Sequence, residues 1–334
     1  MRKSMMKNIL VLMVLMILSS GCSTGLSGEE QSETIKIAMI PKLIGIAYFD
    51  QCAEGAREVA LSYGMELIYK GPTTADAASQ VNIVQDMIYS GVDVIAIAPI
   101  DPEAVKPVLL KALEEGIKVV TFDADARVES RDVFVSQVSA EVLGKHIIDN
   151  MAEMLEGKGQ YAILTASLTA DNQNTWIEWM IEHNDANYKD LELVTIIPSD
   201  EDQQKAYGNT RNLIQAYPEL DGIIAMSTVA GPGAAKAIED LGMNGEVKLY
   251  VLSMPNAIRP YIASEAVQLA TLWDPKQLGA LTIEVAHRLI EDLPINDLEM
   301  IGEIGPIRYN QEDQVVIMGE PLDFTKDNID AYDF

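Results

Sequence analysis

From residue 35 onward, short apolar runs alternate with longer amphipathic ones, and no other feature of the chain restricts its fold so strongly. The runs begin near Ile35, Met65, Val92, Lys118, Gln160, Leu191, Gly222, Val247 and Val267. They are rich in β-branched residues and do not alternate with polar ones, the pattern of parallel strands covered on both faces. Helix-length segments separate them. Phe49, Cys52, Ala53, Ala56, Ala60 and Tyr63, for example, share one helical face. The joints are punctuated too: Tyr63-Gly64-Met65, Ser90-Gly91-Val92 and Glu115-Gly116-Ile117 each place Gly where a helix ends and an apolar residue after it. Asp101-Pro102 pairs a capping carboxylate with a proline suited to the first helical position. Repeated βα units of this kind specify a doubly wound α/β protein. With 334 residues the chain exceeds a single core, so two lobes are expected.

The amino terminus stands outside this rhythm. Arg2, Lys3 and Lys7 precede an apolar stretch from Ile9 to Leu18, and Ser19-Ser20-Gly21-Cys22 follows, so residues 1–21 read as a secretory signal. The apolar stretch is too short to span a bilayer. Cys after Ser-Gly has the form of a lipobox, in which Cys22 is acylated as the first mature residue, and the polar residues 22–34 form a tether. Removing the signal takes three basic groups with it, so the net charge falls from −27 to −30. Such a surface argues against nucleic acid and anionic lipid as ligands, since both need Lys and Arg. Contact with the membrane is expected only through the lipid. Cys52 is the one other cysteine, and with Cys22 lipidated no internal disulfide can form.

Open parallel sheets hold ligands at the carboxyl ends of their strands. The run Val119 to Phe122 delivers Asp123 to such an end, and three other ends are expected to meet it: Ile40-Pro41-Lys42, the Thr165–Gln173 segment, and Leu272-Trp273-Asp274. A carboxylate can accept from two adjacent hydroxyls, and these charge-assisted bonds are about twice as strong as neutral ones, so Asp123 is the anchor expected for a polyol. Lys42 donates to oxygens and balances Asp123. Asn172 and Gln173 offer amides from the other lobe, with helix capping as their alternative use. Asp274 ends a strand where a side chain can touch ligand and hinge together. Phe49, Tyr48 and Trp273 are suited to covering the apolar face of a ring, or to core packing.

Enzyme motifs are missing: there is no Gly-x-Ser-x-Gly elbow, no Gly-x-x-x-x-Gly-Lys-Ser/Thr loop and no Gly-x-Gly-x-x-Gly after the first strand. His146, His183 and His287 are isolated, and neither a metal nor a cofactor is expected.

Several stretches in order resemble the autoinducer-2-binding receptors, within the type I periplasmic binding proteins of ABC importers. These are Ile40–Phe49, Tyr69–Thr73, Thr121–Asp125, Gln173-Asn174 with Trp176, Pro255-Asn256 with Arg259-Pro260-Tyr261, Leu272–Asp274 and the terminal Phe324–Phe334. The resemblance spans the mature chain. It implies two doubly wound parallel-sheet lobes joined by a three-stranded hinge, with residues 35–132 plus 275–298 in the first lobe and 133–274 plus 299–334 in the second. It also implies a monomer that delivers the furanosyl quorum signal to an ABC permease without catalysing a reaction. Carried over by position, the binding residues are Lys42, Asp123 and Gln173. Asn172 stands where that family usually has Asp, and Met226 and Thr228 where it commonly has Pro and Ala. Rhamnose or a pentose is the alternative ligand. An exported sugar-active enzyme and a sensor co-receptor are the alternative functions.

Overall fold

The computed structural model describes residues 34–334. The signal sequence, Cys22 and the tether up to residue 33 lie outside the described residues.

The first lobe is built on β1 (Lys36–Ile40), β2 (Glu66–Tyr69), β3 (Val94–Ile97), β4 (Lys118–Phe122) and β5 (Val133–Val138), joined up to β4 by α1 (Ala47–Ser62), α2 (Ala77–Tyr89) and α3 (Pro102–Glu114). These strands run parallel in the order β2-β1-β3-β4-β5. The residues of β3 and all but the first of β1 are fully buried, as non-alternating apolar runs require when helices cover both faces. Local signals close the units. Gly64 adopts a left-handed φ of 69°, and Met65 N donates to Ala60 O, folding the apolar side chain back onto the helix end. Asp101 caps α3 by accepting from Glu103 N and Ala104 N at 2.9 and 3.1 Å.

The second lobe repeats the scheme with α4 (Ala140–Met154), β6 (Lys158–Thr165), α5 (Asp171–Asn187), β7 (Asp190–Pro198), α6 (Gln203–Ala216), β8 (Leu220–Ala225), α7 (Ala230–Leu241), β9 (Lys248–Leu252), α8 (Pro255–Ala263) and β10 (Leu269–Leu272). Its parallel order is β10-β9-β8-β6-β7.

The chain passes between sheets three times. Ser139 leads from β5 into α4. Trp273 and Asp274 lead from β10 into α9 (Pro275–Ile290), which returns to pack on α1. Glu320 and Pro321 lead from β12 (Val315–Gly319) into β13 (Leu322–Phe324), which pairs antiparallel with β10. The α1–α9 contact is close because it is made through glycine. A Cβ on Gly279 would lie 1.8 Å from Cys52 O, and one on Gly55 would lie 1.9 Å from Lys276 O.

The strand pairing corrects the lobe boundaries expected from the sequence. β5 pairs with β4, and β12 with β5, while β11 (Arg308–Asn310) pairs antiparallel with β12. Residues 133–138 and 308–319 therefore extend the first sheet, although they were expected in the second lobe. An open sheet edge recruits any strand of compatible length and polarity. Val133 and Val135 pack onto the first-lobe core beside β4, and the chain crosses only after them.

Candidate functional site

β4 ends in a tight turn. Asp123 has φ of 63°, and Ala124 N donates to Phe122 O at 2.6 Å across it. A three-residue turn with positive φ is rare and strained, most of all for a residue with a side chain, and such strain gathers at functional sites. Here it turns the carboxylate into the cleft between the lobes.

Both oxygens of that carboxylate are engaged. Tyr48 OH donates to Oδ1 at 2.8 Å, and Trp273 Nε1 donates to Tyr48 OH at 2.8 Å. Burial, with Asp123 beside it, pushes the Tyr48 hydroxyl well above the ordinary tyrosine range, so it stays a donor. Lys42 Nζ lies 3.1 Å from Oδ2, with only 14% of its side chain and 8% of that of Asp123 exposed. A pair this dry is tolerable because each partner has further hydrogen bonds. From the second lobe, Asn172 Oδ1 accepts from Lys42 Nζ at 3.3 Å, and its Nδ2 donates to Asp123 O at 3.4 Å. Asn172 therefore touches both members of the first-lobe pair.

The cavity around this cluster, about 50 Å³ of room for a water-sized sphere, is also lined by Phe49, Gln173, Trp176, Glu201, Met226, Ser227, Thr228 and Trp273. The Phe49 ring meets Tyr48 edge-on at 5.0 Å and Phe122 at 6.4 Å, forming an apolar floor. Adjacent hydroxyls have a carboxylate, an ammonium and an amide within reach, and a ring's C–H face has Phe49 and Trp176.

Seven of the side chains expected at the site line this cavity: Lys42, Phe49, Asp123, Asn172, Gln173, Met226 and Thr228. Gln173, however, is fully employed within the protein. Its Oε1 accepts from Thr165 Oγ1 and Ala166 N at 2.8 and 2.7 Å, and its Nε2 donates to Met226 O at 2.9 Å. It braces the ends of β6 and β8 against each other. Asp274 is a correction. It is not among the cavity residues. Its Oδ1 accepts from Lys276 N and Gln277 N at 2.8 and 3.2 Å as the cap of α9. Asp125 is structural as well, gripped by Arg131 through Nε at 2.8 Å and Nη2 at 2.7 Å.

Tyr48, expected as a ring cover or a core residue, is buried and holds Asp123 through its hydroxyl. Glu201 and Ser227 were missed. Glu201 sits just beyond the carboxyl end of β7, and that position was the signal available for it.

A family model described as periplasmic binding protein domain matches residues 37–293. The chain belongs to the periplasmic binding protein family. Among solved structures, an ABC transporter solute binding protein from Clostridium phytofermentas with bound L-rhamnose is 30% identical, with a TM-score of 0.83 over 90% of this chain and 98% of that one. LsrB from Clostridium saccharobutylicum in complex with AI-2 is 25% identical, with a TM-score of 0.84 over 90% of this chain and 100% of that one. The D-ribose/D-allose-binding protein of Pseudomonas aeruginosa is 25% identical over 287 residues, 81% of this chain and 86% of its own length. This family membership and these full-length likenesses account for the two-lobed fold and its inter-lobe cleft.

Proposed function

We propose that the protein is the extracytoplasmic solute-binding component of an ABC importer, and that its cleft closes on AI-2, a furanosyl polyol, for delivery to the permease. One observation carries the reading. The Asp123–Lys42 pair of the first lobe and Asn172 of the second converge in a single cavity. A ligand that satisfies both lobes stabilises the closed arrangement over any open one, and this differential affinity is the whole of the switch. A carboxylate anchoring vicinal hydroxyls suits any small polyol. The likeness to LsrB, together with the Lys42, Asp123 and Gln173 matches, favours AI-2.

The second reading is L-rhamnose or a pentose. It is favoured by the higher identity to the rhamnose-bound relative and by the departures at Asn172, Met226 and Thr228. No catalysis is assigned, and Cys22 is read as the lipid anchor.

A thermal-shift panel of AI-2, L-rhamnose, D-ribose and D-arabinose tests the choice, because a ligand that binds only the folded state raises its stability in proportion to log concentration. The largest shift is expected with AI-2. Stabilisation by a sugar and not by AI-2 replaces the first reading with the second. No shift with any of the four overturns the polyol reading. Turnover of a bound ligand that is lost in Asp123→Asn overturns the assignment as a pure binding protein.

A further inference from the structure

A second cavity of about 140 Å³ adjoins the first, lined by Leu43, Ala75 and Ile100 of the first lobe and by Ala166, Ser167, Ala170 and Asp200 of the second. Only two residues line both cavities: Lys42 and Glu201. They stand where the two cavities meet, one residue from each lobe.

Glu201 is held there against the preference of its backbone. Asp200 and Glu201 have φ of 53° and 52°, two consecutive left-handed residues with side chains, where Gly or Asn would be the easy choice. The turn is pinned to the neighbouring strand end. Ser199 N donates to Thr165 O at 2.8 Å, Asp200 N to Ala166 O at 2.7 Å, and Ser199 Oγ to Thr165 O at 3.1 Å. The chain thus holds an unfavourable conformation that aims Glu201 at the first lobe.

We propose that Glu201 is a ligand-contacting residue of the second lobe, its carboxylate accepting a hydrogen bond from a hydroxyl of the bound polyol across the cleft from Asp123. The inference rests on the polyol reading of the cleft and deepens it. Lys42 faces two carboxylates, Asp123 of its own lobe at 3.1 Å and Glu201 of the other, and its single positive charge leaves the three groups one negative charge in excess when both carboxylates are ionised. Hydroxyl donors from a ligand supply what is missing. The excess negative charge selects neutral, donor-rich polyols and turns away sugar acids and sugar phosphates.

The electrostatics agree with the geometry. Glu201 keeps part of its surface open, yet desolvation pushes its carboxyl above the ordinary glutamate range, and Asp123 adds to the rise. Lys42 and the nearby Ser227 hydroxyl oppose it. The charged groups facing it are Lys42 ahead of α1 and Asp123 after β4. On its own side, Asp200 pairs with Lys205 of α6.

Titration calorimetry on the full mature chain tests this, using whichever of the four panel ligands stabilises the wild type most. Glu201→Gln is expected to bind about tenfold to a hundredfold more weakly, the worth of a hydrogen bond to a charged group. Wild-type affinity should fall as pH drops through the raised Glu201 carboxyl, because ligand binding needs the ionised form. This step should vanish in Glu201→Gln and persist in Glu201→Asp, which keeps the charge on a shorter arm. Equal affinity and an unchanged pH profile in Glu201→Gln overturn the inference and leave the polyol reading standing. D-glucuronate bound by the wild type as tightly as the neutral ligand overturns it as well. Failure of the wild type to bind any panel member overturns both.

Discussion

Asp123 and Asp274 make an instructive pair. Each lies just past a parallel strand buried along most or all of its length, in the corner where α/β sheets hold ligands, and both were expected at the site. Only Asp123 reaches it. After β4 the backbone turns at once through a positive φ, so the carboxylate swings into the cleft. After β10 it stays extended, with φ of −81° and ψ of 109°, and Pro275 starts a helix whose free amides capture the carboxylate. A strand end offers a position, and the next two residues decide what occupies it. The Asp-Pro dipeptide was the clue. Asp101-Pro102 was read as a helix cap, and Asp274-Pro275 has the same composition and does the same work.

Substitutions can break or sharpen this contrast. Asp123→Ala should have the largest effect, a loss of about a hundredfold or more in affinity by calorimetry, since it deletes a charged acceptor serving two hydroxyls. Retained affinity would dismantle the site. Lys42→Ala should weaken binding by about 1.5–3 kcal/mol, the range for one hydrogen bond to a charged group. Gln173→Ala should act on the fold first: it leaves Ala166 N and Met226 O in a buried corner without partners, and denaturant melts should show a loss of about 1–3 kcal/mol. If affinity falls while stability holds, Gln173 is a ligand contact after all. Asp274→Ala should cost about 1 kcal/mol of stability through the lost cap and leave affinity at the wild-type level. A binding defect there would restore Asp274 to the site.

The two sides of the cleft differ in the same spirit. The first lobe presents charge, Lys42 and Asp123, already paired and held by Tyr48 and Trp273. The second presents Asn172, backbone and side chains that brace one another, with Glu201 as its charged member. Three of the aromatic residues quoted for the resemblance, Tyr48, Trp176 and Trp273, line the cavity without having been counted among the binding positions. Aromatic residues at helical or strand spacing look like core, and Tyr48 and Trp273 are nearly buried. What marks them out is their bonding: a hydroxyl and an indole N–H linked 225 residues apart to reach Asp123. No periodicity carries that information.

The chain's own order of residues determined whatever depends on near neighbours: the βα rhythm, the glycine-closed helices, the capped starts, and the strand ends at which Lys42 and Asp123 emerge. These follow from local sterics and from hydrophobic patterns only a few residues long. The tertiary structure alone decided which sheet takes β5 and β12, that Gln173 spends its amide on the protein, and that Glu201 lines the same cavities as Lys42. Each of these joins partners distant in sequence, and a contact across such a separation is selected by the competition of the whole fold for buried area and satisfied hydrogen bonds.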